Sequence, residues 1–264
     1  MNLRVASSLV VLLLSGCASV STMGLARTLN KGAVQGWVAP GGGGVMAIAS
    51  SPGGAAPGIG YPMVEGGVRV GVTDHFELGG KLGFSGIGIE GKIGLIRTPT
   101  MDSGVNLSIN PGATFVGIGA GNVFVGTVSF HLPVLIGIDF SGHELVIGPR
   151  LIDQVVIGSS GASGTSLNIL YGGGSLGVAL RIAPGFRILP EFSFGVPFFV
   201  SGSTTGGGTT SALGAGGLIF QAGVGFLFGS ADQYERAEPL PALTPPPPPP
   251  AGNVPPPPPP PSAL

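Results

Sequence analysis

The chain has 264 residues, 9% of them charged and 43% hydrophobic, with 51 glycines and a formal net charge of −1. Soluble domains carry about 25% charged residues, so an ordinary water-filled surroundings fits this composition badly. Near-neutral charge gives no nucleic-acid footprint, no run of about 18 apolar residues offers a transmembrane helix, and the apolar content before residue 230 is too high and too periodic for disorder.

At the start of the chain, Arg4 supplies a positive n-region and Ala6 to Leu14 a short apolar h-region, the layout of a secretory signal. Leu14-Ser15-Gly16-Cys17 follows and resembles the bacterial lipobox. That resemblance implies a lipoprotein signal peptide over 1–16, cleavage before Cys17, lipidation of its thiol and new amine, and a lipidated linker over 17–30. An ordinary signal peptide ending in Gly-Cys is the alternative. Cys17 is the sole cysteine, so an internal disulfide is excluded. Two or more acyl chains anchor stably, at about 0.8 kcal/mol per buried methylene. Enterobacterial lipoproteins kept in the inner membrane carry Asp after the cysteine; Ala18 is compatible with export to the outer membrane.

Ten strands are expected between Lys31 and Gly229, over 32–39, 62–73, 75–84, 87–97, 104–118, 124–140, 144–158, 167–182, 186–200 and 215–228. The sixth shows the pattern best. Phe124, Val128, Phe130, Leu132, Val134, Ile136, Ile138 and Phe140 alternate with Val125, Thr127, Ser129, His131, Gly137 and Asp139. Alternate strand side chains face opposite sides, and a transmembrane strand needs only about 9–11 residues. A first strand extended over 45–49 is an option, a break is expected at Pro111, and Asp153 falls on the face of Leu145, Ile147 and Leu151, which suggests a bulge. The long stretches 40–60, 159–166 and 201–214 then fall at one end and the short connections at the other, as in barrels with external loops and short periplasmic turns. A membrane chain without a spanning helix must close its backbone hydrogen bonds as a barrel. The fold class read here is therefore all-β, an up-and-down antiparallel transmembrane barrel over 31–229 of about ten strands, with eight or twelve also compatible. A soluble β-sandwich on a lipid anchor would alternate equally well. Strands this long and this rich in outward Phe, facing glycine-rich inner positions, argue against it.

Gln221-Ala222-Gly223-Val224-Gly225-Phe226-Leu227-Phe228 resembles the outer-membrane β-signal, with Gln221, Gly223, Phe226 and Phe228 at its marked positions. That implies recognition by the barrel-assembly machinery. The chain as a whole resembles bacterial outer-membrane β-barrel proteins, which implies residence in the outer membrane of a Gram-negative bacterium, both termini periplasmic. From 230 to 264 it becomes proline-rich, with prolines at 245–250 and 255–261. Polyproline II geometry would carry Thr244 to Pro261 across ~55 Å, so this segment is expected to be a disordered periplasmic arm for a periplasmic or cell-wall partner.

No catalytic, cofactor or metal site is expected. Gly86 to Gly91 spells GxGxxG, but a dinucleotide site needs a helix after it. His131 and Asp139 share the inner face but stand eight residues apart, ~26 Å along a strand. The inner charges form a balanced set: Glu65, Glu77, Glu90, Asp139, Glu144 and Glu191 against Arg69, Lys81, Lys92, Arg150, Arg181 and Arg187. Mutual pairing is expected to fill the lumen, since a buried lone charge costs several kcal/mol. Trp37, Phe84, Phe124 and Phe199 are candidates for interfacial girdles. The function expected is a structural, envelope-tethering barrel, lipid-anchored and not an enzyme. A narrow channel for small or hydrophobic solutes is the alternative, followed by an enzyme with its site at the outer rim.

Overall fold

The computed structural model describes residues 19–47, 58–99, 102–160, 163–205, 209–213 and 217–229. Cys17 and the proline-rich tail lie outside the described residues. Thirteen strand segments make one antiparallel sheet: β1 (Val34–Ala47), β2 (Gly58–Thr73), β3 (Phe76–Gly83), β4 (Gly86–Ile96), β5 (Ser103–Ile109), β6 (Gly112–Ala120), β7 (Val123–Phe140), β8 (His143–Ile147), β9 (Arg150–Ser160), β10 (Ser163–Ala183), β11 (Phe186–Thr204), β12 (Thr210–Leu213) and β13 (Gly217–Gly229).

Neighbours in sequence pair in turn, and β13 returns to pair with β1, from Gln35 opposite Gly229 to Ala47 opposite Gly217. The wall is therefore a closed barrel with no free edge. It has ten strands, because β5 with β6 and β8 with β9 are each one strand interrupted, and β12 only folds back on the end of β11 without joining the ring. Both pairs run between the same two neighbours. The interruptions fall at Asn110-Pro111 and Gly148-Pro149. Proline has no N–H for the ladder, yet its carbonyl still serves: Gly91 N–H donates to Pro111 O at 2.9 Å, and Val134 N–H to Pro149 O at 2.9 Å.

Alternation sets the two faces as read from the sequence. On β7, Phe130, Leu132, Ile138 and Phe140 are exposed on the outside while Thr127, Ser129, His131, Gly137 and Asp139 are buried inside. On β11, Phe192, Phe194, Val196 and Phe198 face out, and Arg187, Glu191 and Ser193 face in. Past these, Ser166 and Ser203 hydrogen-bond at 2.8 Å. The change from Phe to Ser and Thr marks where the apolar belt ends.

Several expectations are corrected. Within the stretches 40–60, 159–166 and 201–214 the described residues are mostly strand: β1 continues to Ala47, β9 and β10 pair up to Ser160 and Ser163, and β12 folds back onto Phe199–Gly202. No bulge turns Asp153 inward. It stays on the outer face opposite Phe130, and its Oδ1 accepts a hydrogen bond from Asn168 Nδ2 at 2.9 Å. Trp37 belongs to no girdle, being 3% exposed and facing the lumen.

One end of the barrel is closed by tight turns at 74–75, 141–142 and 184–185. Ser141 (φ 49°) and Gly142 (φ 82°) make the doubly left-handed turn that suits a two-residue hairpin. The N-terminal segment joins β1 at this end. Gly32 N–H donates to Gly71 O at 2.7 Å, Gly71 N–H to Ala33 O at 2.9 Å, and Lys31 N–H to Asp74 Oδ1 at 2.9 Å. A Cβ on Gly71 would collide with the Asn30 carbonyl. Gly71→Val should therefore lower the fraction of chain recovered as an SDS-resistant, heat-modifiable band, whereas Val70→Ala on the outer face should not. Equal recovery of the two would show that the junction does not shape the barrel.

Candidate functional site: a chain segment held in the lumen

Residues 19–30, read from sequence as linker, run inside the barrel. Ser19 to Leu29 are all buried, and the segment has no strand or helix of its own. A buried chain without regular structure must find partners for its amides elsewhere. Here the partners are lumen carboxylates and one side-chain amide. Val20 N–H donates to Gln221 Oε1 (3.1 Å), Thr22 and Met23 N–H to Glu191 (both 3.0 Å), Ala26 and Arg27 N–H to Glu144 Oε1 (2.8 and 3.3 Å), and Leu29 N–H to Glu77 Oε2 (2.8 Å). Bonds of this kind to an ionised acceptor are shorter and stronger than neutral ones.

Glu191 is the densest anchor. Besides the two amides it accepts from the hydroxyls of Ser21 (2.8 Å), Thr22 (3.4 Å) and Ser193 (2.8 Å). Met23 adopts φ 40°, in the left-handed region. The adjacent N–H groups of Thr22 and Met23 meet the two oxygens of this one carboxylate. The left-handed conformation costs about 1–2 kcal/mol, which the carboxylate contacts offset.

Carbonyls of the same strap are met by Arg69, which is 1% exposed. Its Nη2 donates to Thr22 O (2.7 Å), its Nη1 to Met23 O (2.9 Å) and its Nε to Glu90 Oε1 (2.5 Å). The guanidinium carbon also lies 5.2 Å from the centroid of the Trp37 ring. At the top, Ser19 Oγ donates to Glu65 Oε2 (2.9 Å), whose other oxygen takes Ser85 Oγ.

Apolar side chains of the strap enter three small clusters on the inner wall. Met23 and Leu25 pack with Trp37, Leu189 and Leu227; Val20 with Ile152, Ile169 and Tyr171; Ala26 with Leu135 and Val146. Inner glycines leave the room. A Cβ on Gly223 would stand 2.8 Å from Met23 Cε, and one on Gly94 3.0 Å from Thr28 Oγ1. A barrel of about eight strands is filled by its own side chains; ten strands with this many inner glycines admit one more extended chain.

The inner charge set is thus in place but paired differently from expectation. Arg69–Glu90 and Lys92–Glu77 are direct ion pairs, and all four side chains are at most 4% exposed. Glu65, Glu144 and Glu191 turn to the strap instead. Asp139 accepts from Thr98 Oγ1 (2.9 Å) and Asn106 Nδ2 (2.7 Å). Lys81 and Arg150 are buried on the inner wall, and buried Arg187 donates from Nη1 to Gly142 O at 2.9 Å. Arg181 is only half-buried, at the turn-end rim, where its N–H donates to His143 Nδ1 at 3.0 Å. His131 faces the lumen beside Gly112. Gln221 and Gly223 face the strap, while Phe226 and Phe228 lie on the outer face of β13. Among the described residues, no group of three or more His, Cys, Asp or Glu is arranged to hold a metal ion. The strap itself was missed from sequence; the glycines on inward positions were its one visible trace.

The chain is therefore a ten-stranded transmembrane β-barrel whose own N-terminal segment occupies the lumen. No family model and no curated protein matches its sequence. Among solved structures it is similar to the outer-membrane protease OmpT from Escherichia coli, at 7% identity, TM-score 0.43, covering 76% of this chain and 98% of that one. It is also similar to the translocator domain of the autotransporter NalP from Neisseria meningitidis, at 12% identity, TM-score 0.38, covering 75% and 88%. Ail, the attachment invasion locus protein of Yersinia pestis, gives 8% identity, TM-score 0.36, covering 74% and 98%. The barrel is established by this chain's own ladders from β1 round to β13, not by these likenesses.

Proposed function

We propose that this is a lipid-anchored, non-enzymatic outer-membrane barrel of a Gram-negative bacterium, with a structural and tethering role and a sealed lumen. The observation that carries the reading is the strap. Four carboxylates and Gln221 are committed to holding residues 19–29 across the interior, so the space a solute would use is occupied. Outer-membrane lipid meets the apolar belt, the assembly machinery takes the last strand, and the proline-rich segment serves a periplasmic or cell-wall partner.

The test has two arms. The complete mature protein should stay silent in planar bilayers, and it should sediment with purified cell-wall sacculi while a chain ending at Gly229 stays in the supernatant although it still shows the gel shift of a folded barrel. Steady conductance of the complete protein would establish the channel reading instead. Sacculus binding that survives truncation would remove the tethering role from the tail.

A further inference from the structure

The direction in which the strap threads the barrel has a topological consequence. Its C-terminal end is fixed at the turn end, by Leu29 on Glu77, Thr28 Oγ1 on Asp74 O (2.7 Å) and Lys31 on Asp74. Its other end is fixed at the opposite rim. Ser19 and Ser85 share the carboxylate of Glu65, and Ser85 lies in the turn that joins β3 to β4 away from the turn end. On the β2–β3 ladder Glu65 pairs with Gly83 and Gly71 with Glu77, so the two anchors stand six residues apart, ~20 Å along the strand at about 3.3 Å per residue. The strap thus climbs nearly the full height of β3 inside the lumen, antiparallel to β1, and Ser19 stands level with the low β3–β4 rim while Gly229 lies at the turn end.

Which end faces out follows from the strands. β7, β10 and β11, of 18, 21 and 19 residues, overshoot a bilayer that about 9–11 residues cross. The overshoot is at Ser160, Ser163 and Thr204, away from the turn end, and barrels project their longer hairpins outward and keep short turns in the periplasm. The rim beside Ser19 is the low part of this wall, since β3 has 8 residues and β4 has 11. Its outer surface is apolar right up to the tip: Leu82 is 66% exposed and Ile87 64%. Lipid reaches this rim from outside as the strap reaches it from inside.

The geometry points to a protein whose two termini lie on opposite faces of the outer membrane, the N-terminal lipid entering the outer leaflet over the β3–β4 rim. It departs from the expectation that both termini are periplasmic, and it rests on the lipid-anchored outer-membrane reading above. Cys17 precedes Ser19 by two residues, a span of at most ~7 Å, so acyl chains on it have no length of linker with which to return to the inner leaflet.

An epitope inserted between Ala18 and Ser19 should be reached by antibody on intact cells, while the same epitope after Leu264 should be reached only after permeabilisation. Both epitopes hidden until permeabilisation would overturn the proposal. If the insertion abolishes the gel shift, Ala18→Lys in the otherwise complete chain replaces it, read by a membrane-impermeant amine reagent on intact cells and mass spectrometry of the N-terminal peptide; an unmodified Lys at that position overturns the proposal equally. The same spectra report acylation of Cys17. An unacylated peptide that is nonetheless labelled from outside would remove the lipid and keep the threading, so failure of the anchor and failure of the topology are told apart.

Discussion

A chain lacking residues 19–30 will conduct ions in planar bilayers where the complete chain is silent. The wall does not depend on the strap for its ladders, since every pairing from β1 to β13 joins barrel strands. Removing the strap leaves Glu65, Glu144 and Glu191 without the amides and hydroxyls they now accept from it. In the sealed barrel an unpartnered carboxylate would cost several kcal/mol, so water must enter and solvate them. The emptied lumen is then lined by the balanced set of acids and bases, the fork of Arg69 released along with the three carboxylates, and with neither sign in excess the lining gives little ion preference. The expected record is discrete steps with little ion preference, and adding Glu144→Gln and Glu191→Gln to the deletion should shift the preference toward anions. The gel shift must persist in the deletion, which separates an opened barrel from an unfolded one. A folded deletion that remains silent would mean that the wall side chains alone close the lumen, and that the strap seals nothing.

The sequence carried the wall and concealed its occupant, and both follow from the same physics. Alternation with period two settles the face of every residue on a strand of ten or more, so Phe130 and His131, or Phe192 and Glu191, fall outside and inside without ambiguity. The break at Pro111 was legible because a proline cannot donate to the ladder. Asp153 shows the rule holding where it looked broken: parity put it outside, and it is outside, with Asn168 as its partner. What parity does not give is which inner groups meet. Glu65, Glu77, Glu144 and Glu191 come from four different strands, and their common partner is a dozen residues with no periodicity, Ser19 to Asn30, whose small and polar character reads as linker. A balanced count of acids and bases suggested mutual pairing. Backbone amides are equally good partners and leave no mark on a charge count. Trp37 misled for a related reason: near a strand end it looked interfacial, whereas its task is to lie beside Arg69 under the strap.

Arg69→Ala should be the most damaging single substitution on the inner wall. Arg69 joins the strap, the wall and the charge set: its fork meets Thr22 O and Met23 O, its Nε meets Glu90, and its plane lies by Trp37. Truncation leaves two carbonyls of the strap and one buried carboxylate without these donors. Removing one partner of a buried pair typically costs 3–5 kcal/mol, so roughly that loss is expected here, less whatever water in the vacated space recovers. Two readouts separate it from general weakening. The temperature at which the fast-migrating folded band disappears should fall, and trypsin should cut after Arg27, which is 7% exposed in the intact protein, at temperatures where the band is still folded. Strap release thereby precedes barrel unfolding. Arg69→Lys keeps a cation for Glu90 but not the planar fork that reaches three acceptors at once. It should retain most of the thermal stability and still admit trypsin at Arg27. Protection of Arg27 equal to that of the intact protein in both variants would mean that Glu191 and Glu144 hold the strap unaided, and that Arg69 serves only to neutralise Glu90.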